Sequence, residues 1–71
     1  MHELSIVYEL YRTVTQLAAE AGLHRVEAVR LQVGELSGVE GPYLRECWNA
    51  VVRDTPLRST QLELEHLPAI A

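Results

Sequence analysis

The sequence predicts a small two-layer α+β protein, with two helices packed on one face of a small sheet in the order helix, strand, helix, strand. Two segments repeat apolar residues at three- and four-residue spacing, which is typical of amphipathic helices. Two others alternate apolar and polar residues, which is typical of strands with one wet face. The second helix joins the strands by a right-handed crossover, so we expect the strands to be parallel.

The first helix is predicted from about Glu3 to Ala21. Its apolar stripe, interpreted as core, comprises Leu4, Val7, Leu10, Tyr11, Val14, Leu17, Ala18 and Ala21. The opposite side of the segment is polar, as expected for a helix at the protein surface. Gly22 follows at once, and a glycine at this position commonly ends a helix because it adopts the left-handed conformation without strain.

The first strand is predicted between Arg25 and Val33. Its apolar and polar positions face opposite ways, Val29, Leu31 and Val33 against Arg30 and Gln32. A glycine-rich loop from Gly34 to Gly41 follows, and Pro42 stands where the first residue of a helix tolerates a missing N–H group. We therefore expect the loop to lead directly into the second helix.

The second helix is predicted from Pro42 to the turn Asp54-Thr55-Pro56. Its apolar stripe comprises Leu44, Cys47, Trp48, Val51 and Val52. Because Cys47 lies within this stripe, it is interpreted as a small buried hydrophobic residue rather than as a reactive thiol.

The last strand is predicted from about Thr60 to Leu67, again with one wet face. Its two faces carry Leu62, Leu64 and His66 on one side and Gln61, Glu63 and Glu65 on the other. A two-stranded parallel sheet is too small to be stable alone, so the pattern asks for a third strand that these residues do not supply. An open sheet edge tends to find a partner, so we expect either self-association through it or a monomer that is less stable than a version with the third strand.

The composition excludes several classes of function. The 71 residues make one domain with a formal charge of -4, and the six basic residues are all Arg, scattered along the chain, which argues against a nucleic-acid partner. No apolar run approaches the ~18 residues of a membrane span, and no signal peptide is apparent, so we expect a cytoplasmic protein without a membrane role. The single cysteine, Cys47, excludes an internal disulfide and a cysteine-based zinc site within one copy.

The opening Met1-His2-Glu3 is the strongest candidate for chemistry. A free amine at Met1, the backbone nitrogens of His2 and Glu3 and the imidazole of His2 can place four nitrogens around one ion. Such a planar set suits Ni(II) or Cu(II) and fits Zn(II) poorly. The amides are available because the first N–H groups of a helix have no intrahelical acceptor. The alternative interpretation is that His2 is an ordinary solvated terminal residue.

Three segments together resemble one family, the HypA/HybF hydrogenase nickel-incorporation proteins. They are Met1-His2-Glu3-Leu4-Ser5-Ile6-Val7, Val33-Gly34-Glu35-Leu36-Ser37-Gly38-Val39-Glu40 and Leu62-Glu63-Leu64-Glu65-His66-Leu67-Pro68-Ala69. The resemblance implies a nickel metallochaperone for maturation of [NiFe]-hydrogenase, and in some bacteria of urease. It also implies a nickel-handling GTPase of the HypB type as a partner, and it places the family's ligand side chain at His2.

The chain also departs from the family pattern. Members continue from this point into a zinc-binding insert with two CxxC pairs and then return to add a third strand. Here the sequence stops at Ala71, so we expect residues 1–71 to be the nickel-binding domain without the zinc-binding domain. The family's structural zinc is not carried over to these residues.

Other candidate residues give weaker signals. His24 and His66 are isolated histidines, which are more often surface or core residues than metal ligands. Glu40 reaches the N-terminus if the loop folds back over the first helix and is otherwise a solvated acid, as are Glu35, Glu63 and Glu65 in the simplest interpretation. The loop lacks the ending of a phosphate-binding loop. No catalytic constellation is apparent, so we expect a non-enzyme, with a protein-interaction module as the alternative function.

Overall fold

The computed structural model describes residues 2–69. They form α1 (His2–Glu20), β1 (Ala28–Gly34), a short 3-10 turn (Glu35–Ser37), α2 (Gly41–Val52) and β2 (Gln61–Leu67). The predicted order of helix, strand, helix, strand is confirmed, and β1 and β2 pair in parallel as a two-stranded sheet. Within the described residues, no helix is long and apolar enough to cross a lipid bilayer.

Local chemistry explains where α1 ends. Gly22 has φ +69°, the left-handed conformation that only glycine adopts freely. The N–H of Leu23 donates to the carbonyl of Ala18 at 2.9 Å, and the N–H of Gly22 donates to that of Ala19 at 3.2 Å. This pair of bonds satisfies the last helix carbonyls in the Schellman arrangement. The predicted bounds of α1 are therefore correct to within one residue at each end.

Both strands begin later than the sequence predicted. The hydroxyl of Thr60 donates to the carbonyl of Val26 at 2.6 Å, and the first backbone bond of the ladder runs from the N–H of Gln61 to the carbonyl of Glu27 at 3.0 Å. At Val26 the hydrogen bond comes from a side chain and not from the backbone of the neighbouring strand. The strand β1 therefore begins at Ala28 rather than near Arg25.

The two faces of the sheet match the predicted alternation. Paired positions on the helix-covered face are Val29 with Leu62, Leu31 with Leu64 and Val33 with His66. On the open face, Arg30 pairs with Glu63 at 3.4 Å and the amide of Gln32 donates to Glu65 at 2.8 Å. These exposed cross-strand contacts leave no like charges opposite each other, and they help to fix the register.

The core lies between α2, β2 and the first half of α1. Its fully buried side chains are Trp48, Leu44, Val7 and Val52. Trp48 also donates its indole N–H to the carbonyl of Thr60 at 3.1 Å, which satisfies the one polar atom of the ring. Cys47 is buried in this core at 8 % exposure, as its position in the stripe predicted.

The predicted apolar stripe of α1 is only partly correct. Val7 is its one buried residue, whereas Leu17 is 58 % exposed and Ala21 is exposed. The reason is length: α1 has 19 residues and α2 has 12, so α2 and a two-stranded sheet cannot cover the whole stripe. The spacing predicted the helix correctly but overestimated what the rest of the chain can bury.

The two edges of the sheet differ. In a parallel strand, alternate residues direct their backbone N–H and C=O groups away from the partner strand. The N–H of Gln61 donates toward β1, so the backbone groups at the even-numbered positions of β2 point outward. At this edge Arg45 donates to the carbonyl of Leu62 at 2.9 Å, and Trp48 covers that of Thr60. Within residues 2–69, no hydrogen bond reaches the outward backbone groups of β1. The edge of β1 is therefore the more open of the two, since on β2 the carbonyl of Leu62 is bonded to Arg45.

Candidate metal centre

The described part of the Met1-His2-Glu3 motif lies in the first turn of α1. His2 is the first residue of the helix and is exposed, and Glu3 follows it half-buried. The amides of both residues are among the helix N–H groups that have no intrahelical acceptor. Met1 lies outside the described residues, so the structure describes the positions of two of the three residues in the predicted set.

The His2 side chain lines a cavity of about 200 Å³ between α1, the end of β1 and the loop that follows. Leu31 and Gly34 contribute to it from the strand, and Ser37 and Val39 from the loop. This places the end of β1 and residues 35–40, here named the site loop, beside the imidazole. The loop, which the sequence predicted as the lead into the second helix, therefore lines the same cavity as His2.

A hydrogen bond joins the site loop to the start of α1. The backbone N–H of Glu40 donates to Oε2 of Glu3 at 3.1 Å, a contact between residues 37 positions apart. This bond is the largest influence that lowers the pKa of Glu3, and the N–H of Glu3 itself lowers the pKa further. The carboxylate of Glu3 is thus held ionised beside the two helix amides.

Glu40 contacts the N-terminal turn through its backbone rather than through its carboxylate. Glu40 is exposed, and the group that bonds to Glu3 is its backbone N–H. The sequence had left two interpretations open, an approach to the terminus and a solvated acid. Each interpretation is correct for one part of Glu40. Its backbone approaches the start of α1 because the loop folds back over that helix, while the residue as a whole stays exposed.

The site loop is also fixed internally and at its far side. Gly38 has φ +76°, and the hydroxyl of Ser37 accepts a hydrogen bond from the N–H of Val39 at 3.2 Å. Oε2 of Glu35 accepts a bond from the N–H of Ala69 at 2.6 Å, beyond the end of β2. Glu35 therefore has a structural contact that the sequence did not predict.

The other candidate ligands lie apart from one another. His24 is exposed after the end of α1, and His66 is exposed on β2, where its ring would lie 3.6 Å from a β-carbon placed on Gly41. Glu63 and Glu65 belong to the cross-strand contacts of the open face. Among residues 2–69, no three His, Cys, Asp or Glu side chains are grouped so that they could hold a metal ion.

Tyr43 is a residue near the centre that sequence reasoning missed. Desolvation raises the pKa of its phenol, and the neighbouring Cys47, with which it shares a side-chain hydrogen bond, raises it further. The charge of Glu3 contributes in the same direction, so Tyr43 lies close to the first turn of α1. Its spacing of four residues from Cys47 on one helix was the available signal.

Comparison with known proteins identifies the family of the chain. A family model described as hydrogenase/urease nickel incorporation, metallochaperone, HypA matches residues 1–71. The chain belongs to the HypA family. The resemblance drawn from its three sequence segments is thereby confirmed, and the family description is that of a nickel metallochaperone.

Three relatives show how far the similarity extends. Proteins named hydrogenase maturation factor HypA from Chlorobaculum parvum, Chloroflexus aurantiacus and Geotalea daltonii are 40 %, 39 % and 43 % identical to the chain. The matched region covers 99 %, 99 % and 97 % of this chain and 62 %, 61 % and 60 % of the respective relatives. This HypA chain therefore spans about three fifths of the length of those relatives.

Proposed function

We propose that residues 1–71 form the nickel-binding domain of a metallochaperone that delivers Ni(II) for maturation of [NiFe]-hydrogenase, with urease as a second possible acceptor. The observation that carries this proposal is the position of His2 and Glu3 in the first turn of α1, beside the site loop, in a chain of the HypA family. A helix start offers amides that no ladder bond requires.

Nickel is the cargo in this proposal. The Met1 amine, the amides of His2 and Glu3 and the His2 imidazole supply four nitrogens, and a planar nitrogen set is one that Ni(II) favours. Because His2 is exposed, an ion held there can leave as well as enter, as a donor requires. We expect a carrier rather than an enzyme, acting in the cytoplasm.

The partners follow from the same role. We propose a nickel-handling GTPase of the HypB type and the hydrogenase large subunit or urease maturation machinery, with no nucleic acid and no membrane. We expect these 71 residues to bind no structural zinc, since their single cysteine, Cys47, is packed in the core at 8 % exposure.

Equilibrium titration with Ni(II) tests the proposal. We expect one nickel per chain, loss of most binding in His2→Ala, and unchanged binding in His24→Ala and His66→Ala. The last two variants are matched controls because both residues are exposed and neither lines the cavity of His2. Equal loss of affinity in His66→Ala would place the ion elsewhere and contradict the proposal.

The alternative function is a protein-interaction module with no metal role of its own. The observation that favours it is the open edge of β1, which offers backbone groups to an added strand. A chain that associates with maturation proteins equally well with and without His2, and that binds no nickel, would support this alternative.

A further inference from the structure

The four-nitrogen set uses the backbone of Glu3 and leaves its side chain available for another task. We propose that the Glu3 carboxylate is a positioning group, which accepts the Glu40 N–H and so holds the first turn of α1 and the site loop in the arrangement that takes up nickel. This inference rests on the proposed function.

Apart from the bond between Glu3 and Glu40, the first turn of α1 is attached through Leu4, which is half-buried and packs against the core. Val7 is the only buried residue of the helix, and it lies beyond the turn that contains His2 and Glu3. The first turns of helices fray when nothing holds them, and chain termini are ordered only when they are attached to the rest of the fold. A bond from Glu3 to a distant segment therefore restrains the turn that carries the nitrogens.

The Glu40 peptide is well placed to be that attachment point. Glu40 precedes α2 with φ −91° and ψ 113°, and it makes no side-chain cap. Its carbonyl accepts a hydrogen bond from the N–H of Leu44 at 2.9 Å, while its own N–H donates to Glu3 at 3.1 Å. One residue is thus fixed to α2 on one side and to α1 on the other, and Leu44 is fully buried.

The same bond brings a preformed wall to the imidazole. Ser37 and Val39 line the cavity of His2, and their mutual hydrogen bond at 3.2 Å stiffens the loop between them. When Glu3 holds the end of this loop, the loop restricts the directions in which the His2 ring can turn. A ligand set that is already ordered loses less conformational entropy when the ion binds.

Four variants separate the contribution of the acceptor from that of the donor, and a fifth variant is the control. Glu3→Ala removes the acceptor, and Glu3→Gln keeps a carbonyl oxygen in nearly the same place. Glu40→Ala removes a side chain but keeps the N–H donor, whereas Glu40→Pro removes the donor at a φ close to the proline range. Glu9→Ala is the matched control, since Glu9 is an exposed glutamate of α1 whose carboxylate pairs with Arg12 at 2.9 Å.

Three readouts are needed, and one of them is made without metal. Hydrogen exchange of the Glu40 amide in the metal-free chain reports the tether, and we expect faster exchange in Glu3→Ala but not in Glu40→Ala or Glu9→Ala. Nickel affinity should fall about fivefold in Glu3→Ala and in Glu40→Pro, with partial recovery in Glu3→Gln. Removing both partners should cost no more than removing one, because they share a single interaction. The absorption spectrum of the bound nickel should stay that of a planar site in every variant.

The outcomes distinguish this inference from the proposed function. Nickel binding in Glu3→Ala at the affinity of the unsubstituted chain, or loss of affinity in Glu40→Ala equal to that in Glu40→Pro, would overturn the positioning role alone. If the unsubstituted chain binds no nickel at its terminus, the proposed function fails and the positioning role falls with it. The exchange of the Glu40 amide would then report only that the tether exists.

Discussion

The two halves of this small protein are packed very differently. In the half formed by α2 and β2, Trp48 and Leu44 are fully buried, and side chains of α2 donate to the outward carbonyls of Thr60 and Leu62. In the half formed by α1 and β1, Val7 is the one buried residue of the helix and the strand edge is open. His2 lies in the second half, where α1 contributes Val7 and half-buried residues such as Leu4 and Leu10 to the core, so we expect side-chain truncations in α1 to cost less stability than those in α2.

The largest expected effect tests this division with a matched pair of substitutions. Leu44→Ala should lower the free energy of unfolding by about 2 to 5 kcal/mol, because it leaves a cavity in a core with 0 % exposure. Leu17→Ala, the same change on α1 at 58 % exposure, should stay within about 0.5 kcal/mol. Chemical denaturation followed by circular dichroism measures both. Similar losses in the two variants would show that α1 is as tightly integrated as α2.

A second expected effect concerns protons at the terminus. The amine, the imidazole and both amides must lose a proton to bind the ion, so nickel affinity should weaken steeply between neutral and mildly acid pH. The fold should persist over that range, because large core side chains such as Trp48, Leu44 and Leu62 carry no ionisable group. Parallel nickel titrations and circular dichroism check this. An affinity that stays flat over the same range would indicate a carboxylate site.

The open edge of β1 gives a smaller effect that depends on concentration. Self-association through this edge, expected from the sequence, should appear in sedimentation as a rise in mass with concentration. Gln32→Pro should reduce it by removing one outward N–H group, while Gln32→Ala, which also loses the contact to Glu65, should not. A chain that stays monomeric at all concentrations would show that this edge needs no partner.

The smallest expected effect is a change of stability with pH at Glu3. The hydrogen bond from Glu40 lowers the pKa of Glu3 below its ordinary value of 4.5, so the folded state favours the carboxylate. The resulting stabilisation is present above that value and is lost as the pH falls through the lowered pKa. The unsubstituted chain should therefore be slightly more stable than Glu3→Gln at neutral pH, and the difference should vanish in acid. A difference that persists in acid would mean that the carboxylate charge is not its cause.

The sequence predicted most of the fold because its elements carry local signals. Periodicity identified the four elements, and Gly22 and Pro42 marked where helices end and begin. The exposure of Leu17 and Ala21 could not be predicted, since a helical stripe does not show how much surface the other elements can cover. The failure lies at the level of tertiary packing.

The candidate site was predicted in part for a similar reason. Met1, His2 and Glu3 are adjacent in sequence, so their chelating chemistry can be inferred without any fold. The hydrogen bond between Glu3 and Glu40 spans 37 positions and joins a side chain to a backbone amide, which carries no residue-type signal. The contact of Glu35 with Ala69 spans 34 positions and was missed on the same grounds.

The most direct test of the account compares two versions of the chain that differ only before Met1. One version has a free Met1 amine, and the other carries a short N-terminal extension that converts this amine into an amide. Nickel is titrated into both while the visible absorption spectrum is recorded. The account predicts one planar, low-spin nickel per chain in the first version and loss of most binding in the second. Equal binding in both versions, or six-coordinate paramagnetic nickel in the first, would contradict it.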